Sequence, residues 1–119
     1  MKIQNYRQVK GIAAAPGVTM RIVAGTAEKA PTFVMRVFEI EPDCATPLHT
    51  HPWEHEVFVL EGKGVLVSGN KDIPLKQGDV AVVLPNEQHS FKNAGKEMLR
   101  MICVVPLVDG KMPGMPAKD

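Results

Sequence analysis

The apolar residues of this chain recur with period two, in short β-branched runs that turn residues interrupt at regular intervals. The runs are "TFVMRVFEI", "EVFVLEG", "GVLVSG", "DVAVVLP" and "MLRMICVVP". Successive side chains of an extended chain point to opposite faces, so a period of two marks strands rather than helices. The 10 Gly and 10 Pro collect between the runs, in "APG", "EGKG", "SGN", "QGD", "LPN" and "NAG". Their spacing of about 8 to 12 residues is that of strand-to-strand turns. No window supports a helix longer than about two turns, and neither a repeat nor a linker divides the chain. An all-β sandwich or barrel follows. With 119 residues, 45% of them apolar, one core needs no disulfide or structural metal, so residues 1–119 are read as a single domain. The segment 106–119, ending in "DGKMPGMPAKD", is expected to be loosely ordered, because Pro and Gly recur there without an apolar period. "VFVL" and "AVVL" are apolar on both faces. One face is then available to a second sheet or subunit. "TFVMRVFEI" and "MLRMICVVP" also carry apolar residues on both parities, more than a monomer of this size needs inside, so an isologous homodimer is expected.

The charges exclude several classes. Fourteen basic and 13 acidic side chains leave a formal net charge of +1, and no run of like charges suits a nucleic acid or an anionic membrane. "MKIQNYRQVKGIAAAPG" lacks the apolar segment of a signal peptide, and no stretch reaches the roughly 18 to 20 apolar residues of a membrane span. A soluble, cytoplasmic protein is expected. Cys44 and Cys103 form no CxxC pair or disulfide framework and read as free thiols. No Ser-His-Asp spacing, P-loop or dinucleotide fingerprint is present, and "GKG" at Gly62–Gly64 is a turn.

The histidines are distributed very unevenly. "LHTHPWEHEVFVLEG" holds His49, His51 and His55 within seven positions, and the rest of the chain has only His89. Positions 49 and 51 share a face of an extended strand. Imidazole suits Zn, Cu, Fe and Ni, whereas crowded histidines without a metal repel one another once protonated. The cluster therefore points to a transition-metal site.

These residues resemble the two motifs of the cupin superfamily, G(X)5HXH(X)3,4E(X)6G and G(X)5PXG(X)2H(X)3N, over about residues 33–105. In the first, His49 and His51 take the HXH positions and Gly62 the closing glycine, with Asp43 standing for the opening glycine. The glutamate position falls on His55, and Glu56 matches only the longer spacing. In the second, Gly78, His89 and Asn93 match, while Leu84 replaces the proline and Asn86 the second glycine. Asn tolerates the left-handed backbone that glycine supplies, so that turn is expected to survive.

The resemblance is greatest to small single-domain members that hold their metal through four histidines. It implies a jelly-roll β-barrel, often a homodimer, with one divalent transition-metal ion per chain (Mn, Fe, Ni, Cu or Zn) on His49, His51, His55 and His89. Four neutral imidazoles leave the ion its full charge of +2, where a glutamate would leave +1. One unit charge at about 4 Å is worth roughly 4 kcal/mol at an effective dielectric near 20, so the site favours anionic ligands. An octahedral ion with four protein ligands keeps two open positions. The reaction implied first is of dioxygenase type, on a small organic molecule that binds the ion as an anion. A redox-neutral isomerase or sugar-handling enzyme is the second reading, and a non-catalytic small-ligand module the third. No catalytic residue is singled out. Trp53 and Phe91 are candidates for the pocket mouth, and Cys44 for its wall. Arg36 would bind a substrate carboxylate if it pointed inward, although an outward position is expected. Glu54 or Glu56 would serve as a base only if it lay near the ion.

Overall fold

The computed structural model describes residues 1–113. Nine strands run in chain order: β1 (Ile12–Ala15), β2 (Val18–Ala24), β3 (Phe33–Ile40), β4 (His55–Glu61), β5 (Lys63–Ser68), β6 (Lys71–Lys76), β7 (Val80–Val83), β8 (Ser90–Asn93) and β9 (Leu99–Pro106). The helical content among the described residues is two 3₁₀ turns, Tyr6–Gln8 and Thr26–Glu28. Accordingly, no helix there is long and apolar enough to cross a membrane. All five runs read as strands are strands, namely β3, β4, β5, β7 and β9.

Six strands form one antiparallel sheet, ordered β1-β2-β3-β9-β4-β7, and three form the other, β6-β5-β8. This is the all-β jelly roll anticipated above. The alternation is clearest in β9, where Leu99, Met101, Cys103 and Val105 are buried and the residues between them are half-exposed. Directly paired residues of antiparallel strands share a face. Val34, Arg36 and Ile40 of β3 therefore point the same way as Val105, Cys103 and Leu99. Of these, Val34, Ile40, Leu99, Cys103 and Val105 join Val57, Val59, Leu66, Leu75 and Phe91 in one core between the sheets. Fully burying each such aliphatic side chain is worth about 1.5–3 kcal/mol. Pro74 interrupts the period of β6, and it is tolerated because β6 is the edge of its sheet.

The turns that frame the site follow the motif positions. Gly62 joins β4 to β5 at φ 93°, and a Cβ there would lie 2.6 Å from the Met98 carbonyl oxygen. Both the dihedral and the space demand glycine. Asn86, where the second motif usually has glycine, adopts φ 69°, so the anticipated left-handed turn survives; Asp43, at the opening glycine of the first motif, is also left-handed at φ 65°. Asn93 is fully buried, donating from Nδ2 to the carbonyls of Ile40 and Glu97 at 2.7 Å each and accepting at Oδ1 from Gly95 N–H at 2.8 Å. It ties the end of β8 to β3. Within the segment expected to be loose, Leu107 N–H donates to Thr32 O, and Val108 and Lys111 exchange backbone bonds. Residues 114–119 of that expectation lie outside the described residues.

Candidate metal centre

Backbone pairing brings the histidines together before any side chain is considered. Chain 44–49 lies antiparallel to 89–93, and His49 and His89 exchange backbone hydrogen bonds of 3.1 and 3.0 Å. Thr46 fastens this edge: its Oγ1 accepts from Phe91 N–H, and its carbonyl accepts from the Ser90 hydroxyl. His51 follows in a bend whose carbonyl accepts from Asn86 N–H at 2.8 Å. His55 opens β4 on its inner face, opposite Val83. Five of the six ring pairs have centroids 4.5 to 5.1 Å apart. His51, His55 and His89 are buried, and His49 stands at the exposed rim.

Three of the rings are aligned by the main chain. The Nδ1 atoms of His49, His51 and His89 lie 2.6, 2.8 and 2.8 Å from the carbonyl oxygens of Pro47, Trp53 and Glu87. A carbonyl can only accept, so each Nδ1 carries the proton and each Nε2 keeps its lone pair. One donor atom from each of these three histidines lies within 4.8 Å of the others. His89 Nε2 is buried with no hydrogen-bond partner. An unpartnered buried acceptor is costly, and a cation among the three rings satisfies it. The donor set thus fits a transition-metal ion.

His55 is held differently. Its Nε2 lies 2.6 Å from His51 Nε2, and its Nδ1 lies 2.9 Å from Cys103 Sγ and 3.4 Å from Arg36 Nη2. Because His51 Nε2 is an acceptor, His55 donates from Nε2, and its Nδ1 accepts from Arg36. To ligate through Nε2, His55 must move its proton to Nδ1, where the Cys103 sulfur accepts it. Burial lowers the pKa of His51, His55 and His89. For His55, the Arg36 charge and the neighbouring rings add to burial and push it to about 2. All three rings are neutral at physiological pH, the form that ligates metals.

The rings form one wall of a cavity of about 450 Å³, lined also by Met20, Arg36, Phe38, Trp53, Phe91, Met101 and Cys103. Trp53 stacks on His51, with ring centroids 4.3 Å apart and planes 1° from parallel. Trp53 and Phe91 thus line the pocket. Cys44 does not, since its sulfur packs toward Gly17. Glu54 and Glu56 are not among the lining residues, and Glu56 sits on the outer face beside Val82 and Val104. The outward expectation for Arg36 is corrected: the pairing of β3 with β9 sets it inward, 6% exposed, beside Cys103. Cys103, which reads from the sequence only as a free thiol, also lines the pocket; the alternation of "MLRMICVVP" places it with Met101 on one face.

The family model for the cupin domain matches residues 36–105. The chain belongs to the cupin family. This cupin is 35% identical over 71 residues to an oxalate-binding protein of Thermotoga maritima, a match covering 59% of each chain. It therefore spans less than two thirds of that relative's length. Among solved structures it is similar to the polyketide cyclase RemF of Streptomyces resistomycificus, with 31% identity, 89% of this chain and 79% of the other covered, and a TM-score of 0.83. It is also similar to a predicted oxalate decarboxylase of Thermotoga maritima, at 26% identity and a TM-score of 0.75, covering 90% of this chain and 100% of the other.

Proposed function

We propose that this cupin holds one divalent transition-metal ion per chain on His49, His51, His55 and His89, and that it is a metal-dependent enzyme acting on a small organic anion. The orphaned Nε2 of His89, in a cage whose neighbours are set by carbonyls to present their own Nε2 lone pairs, carries this reading. The ion would supply Lewis acidity and, with positions left open by the protein, room for a substrate alone or a substrate with dioxygen. The chain's own residues do the rest. The carbonyls of Pro47, Trp53 and Glu87 orient the ligating rings, while Met20, Phe38, Phe91 and Met101 give the cavity apolar walls that exclude water.

The reaction has a dioxygenase form and a redox-neutral form. The similar proteins carry the names of a cyclase and a predicted decarboxylase, not of an oxygenase, and they favour the redox-neutral form. The name of the oxalate-binding relative supports a third form, in which the pocket binds a ligand without turnover. Elemental analysis of the purified protein should give about one transition metal per chain. Absence of any metal at pH 8 after incubation with Mn, Fe, Ni, Cu or Zn removes the proposal. Oxygen uptake by the loaded protein with candidate acids separates the dioxygenase form from the others.

The assembly we propose is an isologous homodimer. On the outer face of the larger sheet, Phe33, Met35, Phe58, Val80 and Val82 are exposed; pairing aligns Phe58 and Val80 with Ile102, and Met35 with Val104, in an apolar band that Glu56 interrupts between Val104 and Val82. Such a band is stabilised when a second copy covers it. Light scattering is expected to give about 26 kDa, twice the 13.0 kDa chain, and a monomer at tens of micromolar contradicts it. The free thiols Cys44 and Cys103 suit a reducing compartment, and we place the protein in the cytoplasm.

A further inference from the structure

Arg36 is 6% exposed and lines the cavity, yet its partners do not balance it. Nη2 lies 3.0 Å from Cys103 Sγ and 3.4 Å from His55 Nδ1, Nη1 lies 3.8 Å from Met20 Sδ, and Nε is buried with no partner. A guanidinium has five N–H donors and no acceptor. Here they meet two sulfur atoms and one ring nitrogen, and no oxygen among the described residues. The Phe38 ring, 5.0 Å from Cζ, offers only its π-face. No Asp or Glu is among the residues lining the cavity. Buried charges are ordinarily paired, because leaving one unpaired is costly. A protein that needed Arg36 only as filler would do better with Met or Leu there.

The geometry points to Arg36 as the anion anchor of this cavity, pairing through its planar fork with the carboxylate of a small, largely apolar ligand whose other end reaches the histidines. Guanidinium and carboxylate match in shape and charge and form two parallel hydrogen bonds. The apolar side chains of Met20, Phe38, Trp53, Phe91 and Met101 would meet the body of the ligand. The substrate class is thereby narrowed from a small anion to an organic carboxylate. This deepens the metal-enzyme reading and rests on it only for the end of the ligand that faces the histidines.

Benzoate and its neutral isostere benzamide are the probes. Trp53, the only tryptophan of the chain, reports their binding by fluorescence, and calorimetry provides the second readout. The full chain is titrated after stripping with EDTA and again after loading with zinc. Metal-free wild type is expected to bind benzoate at least about tenfold more tightly than benzamide. In Arg36→Met, with its fold checked by circular dichroism, the two affinities should fall within about twofold. Arg36→Lys, which keeps the charge without the fork, should lie between. Equal affinities in metal-free wild type, or a benzoate preference that survives Arg36→Met, overturn the inference. A preference seen only with zinc and untouched by Arg36→Met places the anion on the ion, which overturns the anchor and leaves the metal centre standing. A preference in metal-free protein that binds neither zinc nor Mn, Fe, Ni or Cu leaves the anchor and removes the metal centre. If Arg36→Met does not fold, the wild-type comparison and Arg36→Lys decide, and an unchanged preference in the lysine variant counts against the fork.

Discussion

Strand β3 carries an arginine on one face and a glutamate on the other, and the two are treated in opposite ways. Outward-facing Glu39 accepts from Arg21 Nε at 3.2 Å and Arg100 Nε at 2.7 Å, and Arg100 also pairs with Glu61. Burial alone would raise the Glu39 carboxyl, but the hydrogen bonds from Arg100 and Arg21 outweigh it and hold the group below its usual value. The hydrogen bond to Glu39 in turn raises Arg100. Every charge in that network has its opposite within reach. Three residues earlier, inward-facing Arg36 has none among the described residues. The outer face spends its ions on fastening β2, β3, β9 and β4 together. The inner face keeps an unbalanced cation next to four histidines, which serves an incoming anion rather than the fold.

That division is open to attack in order of effect. The largest effect belongs to the inner wall: His89→Ala and His55→Ala should each lower metal affinity at least tenfold, read as metal retained on dialysis at pH 8. Full retention by both variants would dissolve the site. Next comes acidity. The folded-state pKa values of His51, His55 and His89 are lowered, so below about pH 6.5 the unfolded chain takes up protons that the folded chain refuses. Their stabilising contribution is complete above that pH and declines as pH falls, for His55 down to about 2. Metal-free protein should therefore show a Tm that drops steadily from pH 7 to pH 5. A flat or rising Tm contradicts the burial argument.

A smaller effect sharpens the contrast between the two arginines. Arg36→Met removes an unpaired buried charge and should raise the stability of the metal-free fold by about 1 kcal/mol, a few degrees in Tm. Arg100→Met breaks the outer network and should lower it by about 1 kcal/mol, its partial exposure limiting the loss. Equal losses in thermal unfolding would mean that Arg36 is structural after all. The smallest effect is expected at Glu56, which faces outward next to His55. Glu56→Gln should leave metal affinity within about threefold, and an emptied site in that variant would hand the fourth ligand position to the carboxylate.

Much of this was legible in advance, and the gaps have physical causes. Period-two runs announced β3, β4, β5, β7 and β9. β6 was hidden by Pro74, which only an edge strand accepts. β8, "SFKN", has one large apolar residue and owes its extended form to pairing with β5 and the bonds made by Asn93. β1 and β2 give a weak signal: "IAAA" is too small in volume to register, and Thr19 and Arg21 dilute the alternation of Val18, Met20 and Ile22. The histidine cluster was plain from spacing. The direction of Arg36 was not, because "TFVMRVFEI" is apolar on both parities. Phe33, Met35 and Val37 compete with Val34, Phe38 and Ile40 for the inside, and only pairing with β9 decides between them. The carbonyl partners of the rings depend on loop backbone that no periodicity encodes.

Those carbonyl partners have a further consequence, for how such a pocket diversifies. Pro47, Trp53 and Glu87 hold the rings through main-chain oxygen atoms, which survive substitution of the side chains that carry them, provided the loop keeps its path. The residues facing the cavity from β2, β3 and β9, Met20, Arg36, Phe38 and Met101 among them, belong to other parts of the chain and touch the holder mainly through His55. Holder and wall are therefore nearly independent modules. Mutation can redraw the wall, and with it the choice of ligand, while three of the four imidazoles keep their aim, which makes this scaffold a favourable starting point for installing new specificities.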